Sequence, residues 1–161
     1  MKKFIGVFLA IILIISQSTL VFADKNGANL NLKCKSAVLM DVTSGKVLYE
    51  KNCHEKLPPA SVTKVMTMLL ICEAVESNKI KLTDEVTVSE TASSMGGSQI
   101  FLEPNETQTV DTLLKGIAVA SANDACVAMA EYIGGSIEGF VDMMNNKAKE
   151  LGMKDTNFVN T

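Results

Sequence analysis

Residues 58–76 read PPASVTKVMTMLLICEAVE, and the reading of this stretch decides the fold. Pro58 and Pro59 lack the amide donors that a ladder needs, so no strand continues through them. From Ser61 to about Glu76 the apolar residues Val62, Val65, Met66, Met68, Leu69, Leu70, Ile71, Cys72 and Val75 fall all round a helical circumference. A helix without a polar side is a buried one, packed from several directions. Upstream, Ser36–Met40 and Val47–Tyr49 are two apolar runs about a turn through Asp41, Thr43, Ser44 and Gly45, the pattern of a β-hairpin. Downstream the pattern is helical. Thr109 is a natural N-cap, with Asp111 just inside, for a helix to Ala120. A polar break at Ser121, Ala122 and Asn123 precedes a helix from Asp124 to Ile133 that stops at Gly134 and Gly135, and a further helix runs from about Ser136 to Leu151. Strands first and helices afterwards indicate an α+β domain whose helices cover one sheet. Two strands alone form a marginal sheet, so further strands are expected after Thr161, in a chain cut short of its whole domain.

Before the hairpin, Lys2 and Lys3 precede an apolar run from Phe4 to Ile15, then polar Ser16–Thr19, then Val21, Phe22 and Ala23. This is the plan of a secretory signal peptide, residues 1–23, cut after Ala23. Four polar residues after twelve make it a poor membrane span, which needs about 20 mostly apolar residues. The 15 basic residues are all lysine and stand against 18 acidic ones, a net charge of -3 that gives no basic field for nucleic acid. With 47% hydrophobic and 20% charged residues, disordered and low-complexity classes are excluded. Residues 24–161 suffice for one domain.

Export would place Cys34, Cys53, Cys72 and Cys126 where disulfides persist. No pair has the spacing of a zinc site or a redox C-x-x-C. Cys72 and Cys126 lie in apolar helical stretches and read as small buried hydrophobes. Were Asp41 to face Lys46 across the hairpin in unbroken register, Cys34 would face Cys53 at disulfide distance; a bulge would shift the pairing by one. His54, the one histidine, reads as a surface-loop residue rather than the base of a Ser-His-Asp triad. Gly96, Gly97 and Ser98 do not link a strand to a helix as a phosphate loop would; they read as a flexible loop able to rim a cleft. No metal-ligand cluster stands out and no cofactor is expected.

Ser61 and Lys64, three apart at a helix start, project from one face. A serine hydroxyl becomes a nucleophile when a base takes its proton, and a desolvated lysine can be that base. Spacing alone proves nothing, because 12 serines and 15 lysines in 161 residues predict about one S-x-x-K by chance. Ser121 and Asn123 form a second weak pattern, in a break where polar side chains can point into a cleft. Taken singly, both also read as ordinary cap and turn residues.

Context changes the weighting. The runs Asp41–Glu50 and Pro59–Lys64, then Gly97–Pro104, Ser121–Ala125 and Leu151–Met153, closely resemble the D-alanyl-D-alanine carboxypeptidases among the penicillin-binding proteins, whose signature joins S-x-x-K, a second S-x-N-type element and K-T-G. The resemblance implies a serine β-lactamase/penicillin-binding-protein-like transpeptidase fold, of which residues 24–161 are the N-terminal part of the catalytic domain. It implies that Ser61 attacks the penultimate D-Ala carbonyl of a peptidoglycan stem peptide, with Lys64, desolvated, taking the proton. Ser121 would relay a proton to the leaving amine, while Asn123 binds substrate backbone and helps fix Lys64. β-Lactams would acylate Ser61 in the same way. Nowhere in the chain does a lysine precede Thr/Ser and Gly, so one third of the constellation is missing and the chain by itself is expected to be a poor catalyst. The family's C-terminal β-rich domain and amphipathic membrane anchor would also lie beyond Thr161. Two other readings stay open. A serine β-lactamase is disfavoured because Met153–Thr161 holds Asp155 but no Glu/Asn pair, and because Ala122 is not aspartate. A non-catalytic muropeptide-binding or β-lactam-sensing domain would use the same cleft.

Overall fold

A computed structural model describes residues 30–161; the expected signal peptide lies outside them. The chain divides into two compact units at Leu57/Pro58. The first is a hairpin of β1 (Ala37–Met40) and β2 (Val47–Lys51), paired antiparallel. Its turn is made by Asp41, whose carboxylate accepts from the Ser44 N–H at 2.8 Å and the Ser44 hydroxyl at 2.5 Å. The Ser44 hydroxyl and then its N–H favour the ionised carboxylate and lower the Asp41 pKa. Gly45, at φ +67°, takes the left-handed position that a side chain would disfavour.

The register corrects the unbroken pairing considered above. Ala37 faces Lys51 and Leu39 faces Tyr49, but Met40 faces Val47, so Leu48 is the extra residue of a bulge. Asp41 does bond to Lys46, N–H to carbonyl at 2.8 Å, yet beyond the bulge the pairing has moved by one. Cys34 and Cys53 are both free thiols.

The second unit is helical. A 3₁₀ turn (Ala60–Thr63) leads into α1 (Lys64–Glu76); β3 (Glu85–Thr87) is followed by α2 (Glu90–Ser93), and β4 (Thr107–Thr109) by α3 (Val110–Ala120), α4 (Asn123–Gly134) and α5 (Ile137–Glu150). Among the described residues β3 pairs with β4 and β1 with β2, so two two-stranded sheets are seen where one sheet was expected. The sequence reading missed β4 because Thr-Gln-Thr carries no apolar alternation.

The most buried helix is α4, not α1. Ala125 to Ala130 are all buried, and α4 packs against α1, α2, α3, α5 and β3. Its small side chains permit that crowding. At its end a Cβ on Gly134 would lie 2.6 Å from the Phe140 nitrogen, so only glycine lets α5 begin so close. By contrast α1 buries Met66, Thr67, Leu70, Ile71 and Ala74 but leaves Val65 60% exposed and Cys72 exposed, which corrects both the all-round burial and the buried Cys72 expected. Cys126 is fully buried, as expected, and burial pushes its thiol pKa up to about 12. The caps follow the sequence: Thr109, Ser136 and Ser89 accept from backbone N–H groups at the starts of α3, α5 and α2, and Gly135 ends α4 in the left-handed region. No helix among the described residues is long and apolar enough to cross a membrane.

Candidate active site

Two proline residues precede Ala60 (φ +50°), where the 3₁₀ turn begins. Ser61 therefore sits in the 3₁₀ turn, and Lys64 is the first residue of α1. In a 3₁₀ turn residues i and i+3 eclipse, so the pair is aligned more closely than in an α-helix. Ser61 is exposed, whereas Lys64 is only 6% exposed. No hydrogen bond or ion pair to the Lys64 ammonium occurs among the described residues. It lies near enough to the Cys126 thiol to favour its ionised form, although burial outweighs that influence. Cys126 is one turn into α4, directly after the 121–123 break, and both helices that the break joins pack on α1.

Ser121 occupies the left-handed region (φ 55°, ψ 39°) as the cap of α3, and its hydroxyl is buried without a hydrogen-bond partner among the described residues. A non-glycine residue in that conformation is uncommon, and an unpaired buried hydroxyl costs about 1–3 kcal/mol. Asn123 is committed to the 96–98 loop: its amide nitrogen donates to the Gly96 carbonyl at 2.6 Å and its backbone N–H to the Ser98 carbonyl at 2.7 Å. No hydrogen bond from Asn123 to Lys64 occurs among the described residues. A Cβ on Gly97 would lie 2.8 Å from the Asn123 amide nitrogen, so the loop can lie this close only with glycine there. The 96–98 loop expected from sequence is tethered to Asn123 by two hydrogen bonds.

One residue that the sequence reading passed over organises this corner. Asp124, fully buried, accepts from the backbone N–H of Ile100 (3.2 Å), Leu102 (3.1 Å) and Ala125 (2.9 Å). Gripped on either side, Phe101 is held at φ +59° with its ring 81% exposed beside the corner. An aspartate after S-x-N in a first helical turn reads as a dipole partner; its role depends on residues more than twenty positions away. A cavity of about 310 Å³ lined by Glu85, Val86, Thr87, Ala128, Glu131 and Tyr132 includes none of these side chains.

This arrangement can be compared with known proteins. A profile described as D-alanyl-D-alanine carboxypeptidase, the S11 peptidases, matches residues 23–161. The chain belongs to that family. It is 55% identical over 163 residues to the D-alanyl-D-alanine carboxypeptidase DacF of Bacillus subtilis, covering 99% of this chain and 42% of that protein. It is 45% identical to DacC of Escherichia coli over 80% of this chain and 34% of the relative. Among solved structures, the D-alanyl-D-alanine carboxypeptidase DacD from Francisella tularensis superposes with a TM-score of 0.80 at 37% identity, over 83% of this chain and 32% of that one. Penicillin-binding protein D2 from Listeria monocytogenes, in its ampicillin-bound form, gives 0.73 at 31% identity over 82% and 53%. The fold is that of the penicillin-binding-protein transpeptidases, and this chain spans about two-fifths or less of the length of the curated relatives it matches.

Proposed function

We propose that this chain carries the acylating half of a serine-type D-Ala-D-Ala carboxypeptidase that trims peptidoglycan stem peptides. The Ser61 hydroxyl oxygen bonds to the penultimate D-Ala carbonyl carbon while its proton passes to the Lys64 amine. Collapse of the tetrahedral intermediate breaks the peptide bond; the leaving nitrogen receives a proton through Ser121, and D-Ala departs. Water then attacks the acyl carbon and frees Ser61. Asn123 presents its remaining amide oxygen to the substrate backbone, with its nitrogen fixed on Gly96. A β-lactam forms the same ester on Ser61 and leaves slowly, because its leaving group stays tethered. The observation that supports this reading is a Lys64 side chain only 6% exposed, its amine without a hydrogen-bond or ion-pair partner among the described residues, one turn from an exposed serine, on a helix packed by the two helices that flank Ser121, whose hydroxyl is buried without a partner among the described residues. The proposal includes export, with a signal peptide removed after Ala23 and the enzyme acting outside the cytoplasmic membrane.

The test is fluorescent-penicillin labelling of the product of the complete reading frame, beside D-Ala release from a pentapeptide. Covalent label and release that both vanish in Ser61→Ala are the expected result. Label without release would favour a β-lactam sensor of the same fold, and no label would defeat acylation. Mass spectrometry of the mature N-terminus checks cleavage after Ala23.

A further inference from the structure

The hairpin unit holds a cluster that plays no part in this chemistry. Glu50 lies in β2, one residue before its last, and the chain then reverses at Asn52, which adopts φ +45° and donates its side-chain amide to the Lys35 carbonyl at 3.0 Å. The Glu55 N–H closes the turn on the Asn52 carbonyl at 3.0 Å. Reversal there folds Cys53 and His54 back beside Glu50. A carboxylate oxygen, the Cys53 sulfur and an imidazole nitrogen all lie within 4.8 Å of one another, and the Cys53 thiol already donates to Glu50 Oε2 at 3.5 Å. Bonds of about 2.0 Å to nitrogen and oxygen and about 2.3 Å to sulfur put tetrahedral ligands about 3.5 Å apart. The thiol and carboxylate meet that separation already, and the imidazole nitrogen lies within 4.8 Å of both.

We propose that this turn is a three-ligand site for a borderline divalent cation, Zn²⁺ foremost, bound by Glu50, Cys53 and His54 with a fourth position open to solvent. The donor set selects the ion: thiolate and imidazole disfavour Mg²⁺ and Ca²⁺, which take oxygen ligands. Charge also balances. The cation replaces the thiol proton, which leaves to solvent, so one thiolate and one carboxylate neutralise the two positive charges about a neutral imidazole. The spacing E-x-x-C-H is not that of a zinc finger; the left-handed Asn52, not the sequence interval, gathers the ligands. The inference does not depend on the carboxypeptidase reading, since none of the three residues takes part in it.

The experiment titrates the reduced, metal-free chain with Co²⁺, then displaces it with Zn²⁺. The expected result is one equivalent bound, with a thiolate-to-cobalt charge-transfer band that disappears in Cys53→Ser, weakens about tenfold or more in binding in His54→Ala and Glu50→Gln, and persists in Cys34→Ser and Cys72→Ser. Circular dichroism confirms that each variant is folded. A wild-type chain without the band overturns the proposal with no variant needed. Binding that survives Cys53→Ser, or that is lost with Cys34 or Cys72 instead, also overturns it, as does a Cys34–Cys53 disulfide in the purified protein.

Discussion

Lys64 and Asp124 are the two charged side chains buried among the described residues, and their surroundings are opposite. Asp124 accepts three backbone N–H groups drawn from two segments, so its charge is solvated by the fold itself. Lys64 is buried at a helix start with no hydrogen-bond or ion-pair partner among the described residues. A buried charge that is fully bonded fastens structure; a largely buried side chain whose amine bonds to no described residue adds no such fastening. The first ties the corner at 121–124 to the 100–102 segment, and the second begins a helix that packs on both helices flanking that corner.

The largest effect is expected at Lys64. Lys64→Met should slow penicillin acylation by about 10²–10⁴-fold, the range of a lost general base, while urea unfolding shows equal or greater stability because an unpartnered amine has been replaced by an apolar side chain. Lower stability would mean that Lys64 is a structural ion after all. Asp124→Ala should do the reverse. Stripping the partner from buried N–H groups is expected to cost about 3 kcal/mol in urea unfolding, with acylation falling only as far as the 96–102 strap loosens. A smaller loss, about 1–2 kcal/mol, is expected for Gly97→Ala, which must strain a φ of +85° and displace the Asn123 amide; its acylation rate should drop with Ser61 still the labelled residue. Least is expected of Thr109→Ala, which removes the cap of α3: about 1 kcal/mol of stability by thermal unfolding and no change in acylation.

The same contrast explains what the sequence made legible. The hairpin, the caps at Thr109 and Ser136, the stop at Gly134–Gly135 and the break at 121–123 each depend on neighbours a few residues away, and each stands where local chemistry puts it. Contiguous motifs, S-x-x-K at Ser61 and Lys64 among them, carried the family for the same reason. What escaped depends on distant partners. Asp124 acquires its role from Ile100 and Leu102, the three-residue β4 exists only because β3 pairs with it, and the exposure of Cys72 reflects which side of α1 the other helices cover. The bulge at Leu48, which moves Cys34 out of register with Cys53, leaves no mark in composition.

The central claim is that Lys64, taking the Ser61 proton, and Ser121, passing a proton to the leaving nitrogen, act in one crevice, and a double-mutant cycle tests it most directly. Penicillin acylation rates would be measured for wild type, Lys64→Ala, Ser121→Ala and the double variant of the complete protein. A shared proton path predicts strong non-additivity, with the double variant scarcely slower than the worse single one. Two losses that simply multiply would contradict it.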